Sequence, residues 1–295
     1  MNTQNSRGSY IRFIASLLIV GTIGVFRRYI PISSPLLAFF RGLIGSVSLL
    51  VFVLLTGRFS RQKTGARKLA AMVLNGALIG INWILLFEAF NNTTIAKATL
   101  AYYMQPTIVL LLSPLVFREK LTGRKLICAA VSLAGMVLVS GVIGARGAGV
   151  HDARGILLGL GAACFYSMVI IMSKKITGVD PWSRTIIQLF SAAVVLVPYL
   201  LINHDFSAAA FTPGTAALIL IVGIIHTGIA YALYFSGMDG LKAQTVSALS
   251  YTDPVTAMIV SALVLREQLS VPGIIGAVLI IGSAVISEYG SGKTR

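Results

Sequence analysis

Tyr103-Met104-Gln105-Pro106, then Ser113, then Leu115-Val116-Phe117-Arg118-Glu119-Lys120-Leu121 has a second copy in the same chain. It reads Tyr251-Thr252-Asp253-Pro254, Ser261 and Leu263-Val264-Leu265-Arg266-Glu267-Gln268-Leu269. Pro106 and Pro254 are 148 positions apart, and the same offset relates Arg118 to Arg266 and Phe87 to Phe235. One apolar coincidence carries no information. A Tyr, a Pro, a Ser and Arg-Glu-x-Leu at one fixed offset mark an internal repeat, with residues 1–147 as the first copy and 148–295 as the second.

Composition says what kind of unit is repeated. The chain has 295 residues, 56% hydrophobic and 11% charged, with a mean hydropathy of +0.88. A soluble domain carries roughly 25% charged residues, so a soluble globular enzyme and a disordered chain are both excluded. A helix needs about 20 apolar residues to cross a hydrocarbon core of about 30 Å. Apolar runs between charged or Pro/Gly breaks predict ten such spans: 11–30, 35–56, 68–90, 94–117, 124–144, 154–174, 181–202, 213–237, 242–265 and 271–289. The fold class expected is an all-α polytopic membrane protein with ten transmembrane helices. The first span runs into Phe26-Arg27-Arg28 without a small-x-small cleavage site, and is read as a retained helix rather than a signal peptide. Cys128 and Cys164 fall inside apolar runs and read as small fillers, without metal-site spacing.

The net charge of +15 would suggest nucleic acid in a soluble protein. Here the basic residues sit in short loops between apolar spans, the pattern that sets membrane orientation. Sixteen of the 24 Lys and Arg fall on the side of the two termini, among them Arg58, Arg61, Lys63, Arg67 and Lys68. Six fall on the other side, and Arg41 and Arg184 lie within spans. Both termini are therefore expected in the cytoplasm. Ten spans split into five per copy, and because five is odd the second copy enters the membrane from the opposite face. Two inverted five-helix repeats are a transporter architecture, with the substrate site near the midplane between them.

Ten spans, a five-plus-five repeat and a Pro-containing fourth helix ending in Leu-x-Phe/Leu-Arg-Glu-x-Leu resemble the EamA-type drug/metabolite transporter family over about residues 11–289. The resemblance implies a helical bundle in the bacterial inner membrane, cytoplasmic termini and export of amino acids or related metabolites. Where the family often has Gly before the motif Glu, this chain has Arg118 and Arg266.

Polar groups deep in spans are costly and mark a cavity or a partner. Gln105 and Asp253 stand at the middle of the fourth and ninth spans, each just before the repeated proline. A helical proline frees the carbonyl four residues back, here those of Tyr102 and Ser250. Opened backbone at one depth in both copies is expected beside a transport site; the competing reading is a kink that serves packing. Trp83 maps onto Tyr231 and Tyr103 onto Tyr251 at the repeat offset, with Phe87, Tyr102, Tyr234, Asn82 and His226 within a turn or two. Aromatic rings offer contact area and cation-binding faces, although aromatic stripes in membrane helices also serve as packing. Arg41 lies six residues past Pro35, about 9 Å into its helix, placed to hold a carboxylate or to snorkel outward. Arg184, three residues past Pro181, is expected to snorkel. Gly76-x-x-x-Gly80 and Gly155-x-x-x-Gly159 read as close helix contacts.

The candidate substrate site is thus Arg41, Trp83, Phe87, Tyr102, Tyr103, Gln105, His226, Tyr231, Tyr234, Tyr251 and Asp253. No catalytic cluster, metal set or nucleotide loop competes, so a secondary carrier without cofactor is expected, not an enzyme. Its expected partners are a small-molecule substrate, membrane lipids and a proton as coupling ion, without nucleic acid, in a monomer or homodimer. The expected cargo is an amino acid or similar amphipathic metabolite. The alternatives are cationic drug-like compounds or, from another class, an intramembrane enzyme acting on a lipid carrier.

Overall fold

The computed structural model describes residues 3–57, 64–140, 150–203, 211–266 and 270–289. Within these the secondary structure is helical throughout. The segments are α1 (Thr3–Gly21), α2 (Ile23–Arg28), α3 (Ser34–Leu55), α4 (Ala66–Asn92), α5 (Ile95–Tyr102), α6 (Gln105–Phe117), α7 (Gly123–Val139), α8 (Val150–Lys175) and α9 (Pro181–Ile202). They continue with α10 (Pro213–Ile221), a π-helical segment (Val222–Ile229), α11 (Ala230–Asp239), α12 (Ala243–Ser250), α13 (Thr252–Leu265) and α14 (Val271–Tyr289). Eight stretches are long and apolar enough to cross a membrane: Arg7–Arg28, Ser34–Leu55, Ala66–Asn92, Lys97–Phe117, Ala153–Lys175, Pro181–Ile202, Pro213–Asp239 and Ala243–Leu265. Val271–Ser287 is apolar but shorter, and α7 has 17 residues. The protein is a multi-pass membrane protein. The expected repeat boundary at 147/148, the basic residues Arg58, Arg61, Lys63 and Arg146, and Glu267 lie outside the described residues.

Local sequence sets many of the starts. Ser33, Thr94, Asp180 and Thr212 precede α3, α5, α9 and α10, and each side chain accepts a first-turn amide, from Leu36, Lys97, Ser183 and Thr215 respectively. Proline occupies the first turn of α3, α9 and α10, where its missing N–H costs nothing. The repeated prolines break their helices as expected. The fourth span is interrupted at Tyr103-Met104, and the ninth at Tyr251.

Lipid is as apolar as leucine, so helices in a bilayer associate through close packing and interhelical hydrogen bonds rather than hydrophobic burial. Large apolar side chains such as Leu55, Leu115, Leu157, Ile202 and Leu263 face outward, while small residues make the contacts inside. α4 packs on α8 and α9, α7 on α14, α3 on α9 and the π segment, and α1 on α11. Both small-residue motifs lie at such contacts. Gly76 and Gly80 meet the carbonyls of Gln188 and Ala192 on α9, Gly155 meets Thr93, and Gly159 meets the Ala98 carbonyl. A Cβ at Gly80 would come within 2.8 Å of the Ala192 oxygen. Buried polar ties reinforce these contacts: Asn75 donates to Ser173 at 2.6 Å, and Asn82 to the Ala162 carbonyl at 2.7 Å.

One expectation fails. Arg184 does not snorkel; its side chain is 1% exposed and forms a two-pronged ion pair with Asp239, at 2.9 and 2.8 Å. It also donates to the carbonyls of Phe235 at 3.0 Å and Ile176 at 3.3 Å. The end of α8 and α11 supply the acceptors for both terminal nitrogens of a guanidinium carried by α9, and burial costs less when the charge is paired than when it is left alone.

Candidate functional site

The π segment buries Val222, Gly223, His226, Thr227 and Gly228 and leaves Ile224, Ile225 and Ile229 outward. An extra residue per turn re-registers a helix locally, and such bulges recur at functional sites. Here the hydroxyl of Thr227 donates back to the Val222 carbonyl at 3.2 Å and accepts from Arg41 Nε at 2.9 Å. That bond turns Arg41 inward from α3. Its guanidinium carbon lies 5.2 Å from the centre of the Trp83 ring, within cation–π range. Trp83 meets Tyr231 edge-on at 6.4 Å, so the pair that the repeat offset links is also in contact across α4 and α11. Among the described residues Arg41 forms no ion pair with a carboxylate.

The two helix breaks form the facing part. Tyr103, at the end of α5, donates to the Asp253 carboxylate at the start of α13, at 2.9 Å. The repeat-related breaks are thus joined by one hydrogen bond. Tyr102 packs against Tyr103 at 5.8 Å and against Tyr166 of α8 at 6.0 Å. Arg41 and Asp253 both lie near the hydroxyls of Tyr102 and Tyr231. Arg41, Tyr102, Tyr103, Tyr166 and Asp253 remain partly accessible, whereas Trp83, Tyr231 and Tyr234 are buried behind them. The result is one cation and one anion set around a common group of tyrosine rings.

The other expected residues divide. Phe87 is partly buried against the main core, and Tyr234 packs on Phe13 and Phe235 in the same core. Gln105 is buried, its backbone carbonyl accepting from Ser167 at 3.2 Å and its side-chain nitrogen lacking a hydrogen-bond partner. His226 turns toward the start of α2, with Nε2 2.8 Å from the Thr22 hydroxyl and its ring 4.6 Å from Phe26. Tyr251 is separated from the Trp83–Tyr231 pair. Its hydroxyl lies 2.5 Å from that of Thr107, and its ring belongs to a second cluster with Met136, Val255 and Ile280. Two residues of the site were not expected. Thr227 gave no signal beyond being a polar residue in an apolar span. Tyr166 has Leu18 at its repeat-related position, so the offset that found the other aromatics misses it. Among the described residues no three His, Cys, Asp or Glu side chains converge as a metal site would require.

The EamA-like transporter family matches this chain twice, over residues 8–141 and 153–289. The chain belongs to the EamA-like transporter family. Relatives in Bacillus subtilis include the uncharacterized transporter YxxF, 27% identical over 88% of this chain and 82% of its own length. A second, the uncharacterized transporter YwfM, is 30% identical over 90% and 89%. A solved crystal structure superposes with a TM-score of 0.85 over 98% of each chain at 21% identity, a likeness of fold. As an EamA-like protein, this chain is a membrane transporter.

Proposed function

We propose that this transporter is a secondary exporter of a zwitterionic, amino-acid-like metabolite in the bacterial inner membrane. It is built as ten spans in two inverted repeats with both termini in the cytoplasm. The observation that carries the substrate reading is the pair of opposite charges around one ring cage. Arg41 has a hydroxyl and a ring face for company but no carboxylate, and Asp253 has one tyrosine hydroxyl. Charges at membrane depth are costly without a counter-ion, and a bound substrate with a carboxylate and an ammonium supplies both. The double family match, the paired helix breaks and the sixteen-to-six charge split support the inverted repeat and the orientation.

Asp253 is the coupling group in this reading: a proton replaces the substrate ammonium on its carboxylate, so that inward proton movement drives the cargo out. The rival cargo, a lipophilic cation, is favoured by the rings and Asp253 but is repelled by Arg41. Proteoliposomes loaded with radiolabelled neutral amino acids or with cationic amines separate the two. Amino-acid counterflow inhibited by other zwitterions is the expected result; efflux of amines alone would overturn the zwitterion reading.

A further inference from the structure

The helix α12 begins without a cap of its own. Its N-cap position is Lys242, whose side chain makes no cap bond and has no acceptor to offer. The orphan amides of its first turn are taken by a residue of the other half. Glu119 Oε1 accepts from the Ala243 amide at 2.8 Å, and Oε2 from the Gln244 amide at 3.1 Å. The grip extends along the Gln244 side chain, which donates to Ser113 at 2.8 Å and accepts from Lys125 Nζ at 2.5 Å. Glu119, Ser113 and Lys125 belong to the first half and α12 to the second. Glu119 reaches across because Arg118, in the left-handed conformation at φ 55° and ψ 30°, ends α6 and turns the next residue toward α12.

The repeat-related helix start differs in its local cap. Thr94 stands 148 positions before Lys242, and α5 is capped locally by the Thr94 hydroxyl, which accepts from the Lys97 amide at 3.3 Å. The start of α5 thus has a local side-chain cap, whereas Lys242 gives the start of α12 none. The contact lies at the end of the bundle that holds the chain termini. There Gly237 of α11 packs on Ser9 and Phe13 of α1, and the Arg184–Asp239 pair joins α9 to α11.

We propose that Glu119 is the latch that holds the termini end of the transport path shut, and that withdrawal of its carboxylate from α12 is the step that opens that end. It is a positioning residue: it touches no substrate and sets which side of the membrane the site faces. Without cargo the path rests closed at this end. Directly beneath the latch, Ser247 of α12 donates to the Pro106 carbonyl of α6 at 2.5 Å, so separation of the halves uncovers it. The proposal rests on the two-repeat reading above.

The test uses full-length protein with Cys128→Ala and Cys164→Ala, in right-side-out and inside-out vesicles, and needs no substrate. A Ser247→Cys reporter is labelled with a membrane-impermeant maleimide from the termini side. Glu119→Ala is expected to raise the labelling rate about tenfold. Adding Lys242→Ser gives α12 a local cap like that of α5. The double variant is expected to regain thermal stability while its labelling stays fast. An unchanged rate in Glu119→Ala, or a return to the parent rate in the double variant, would overturn the latch and leave Glu119 a cap only. A Tyr102→Cys reporter tests the underlying reading separately. It should label from the opposite side with Glu119 intact, and more slowly with Glu119→Ala. Labelling from neither side would mean that no path opens there and that the two-repeat reading itself fails.

Discussion

Arg41 and Asp253 are the residues on which the proposed substrate chemistry turns, because each is a charge whose company is polar or aromatic but not ionic. A hydrogen bond to a charged group contributes about 1.5–3 kcal/mol. Arg41→Gln is therefore expected to weaken amino-acid binding by about ten- to a hundredfold while leaving amines without a carboxylate unaffected, as read by counterflow in proteoliposomes. Asp253→Asn keeps the size and mimics the neutral form. It is expected to abolish pH-gradient-driven accumulation while substrate exchange without a gradient survives. Full accumulation in that variant would reduce Asp253 to a structural partner of Tyr103. Trp83 serves as a wall for Arg41, so Trp83→Ala is expected to weaken binding while the detergent-extracted protein stays monodisperse. The same kinds of residue elsewhere in the bundle show how far residue type alone can mislead. Arg184 shares the charge of Arg41 but is paired with Asp239 and bonded to carbonyls at the end of α8 and on α11.

At the scale of elements, the end of α6 and the end of α13 show the same residue type holding the same backbone geometry in both copies of the motif. Arg118 and Arg266 both adopt the left-handed conformation at φ 55°, with ψ 30° and 31°. A side chain in that conformation costs roughly 1 kcal/mol that glycine avoids. Arg118→Gly is therefore expected to stabilise the protein by up to about 1 kcal/mol in thermal unfolding in detergent, with no effect on substrate affinity. The α9–α11 contact points the other way. Asp239→Ala leaves the Arg184 guanidinium buried without its carboxylate. Because the Asp239 side chain is 37% exposed, the loss is expected near the lower end for a broken buried pair, about 2–3 kcal/mol, measured in the same melts. The helix breaks at Tyr103-Met104 and Tyr251 follow directly from Pro106 and Pro254, whose rings cannot sit inside a helix without freeing a carbonyl.

For the whole molecule, the decisive question is which way the bundle lies in the membrane. The proposed orientation has the loop at 57–67 in the cytoplasm and the loop at 203–212 outside. Single cysteines in the first are expected to react with an impermeant thiol reagent only from the cytoplasm, and in the second only from outside. Reaction of both from one face of intact cells would break the ten-span arrangement and the export direction with it. The same orientation makes the Glu119 end cytoplasmic, so a latch there would keep the resting site turned away from its cargo until protonation from outside shifts the balance.

Class, helix positions and breaks are written along the chain, because a run of apolar residues, a capping Ser, Thr or Asp and a proline each act within a few positions. The repeat is also one-dimensional, since it needs only the constant offset of 148 between Pro106 and Pro254. Where each side chain ends up is a different matter. A helix that is apolar all round carries no amphipathic stripe to say which face looks inward, so rotation about its axis is decided by its neighbours. That rotation separates Tyr251 from the Trp83–Tyr231 pair and turns His226 to Phe26. It brings Tyr166 beside Tyr102 and answers Arg184 with Asp239. It also sets Glu119 on α12, a contact between residues 124 and 125 positions apart, which no local rule of helix capping could assign.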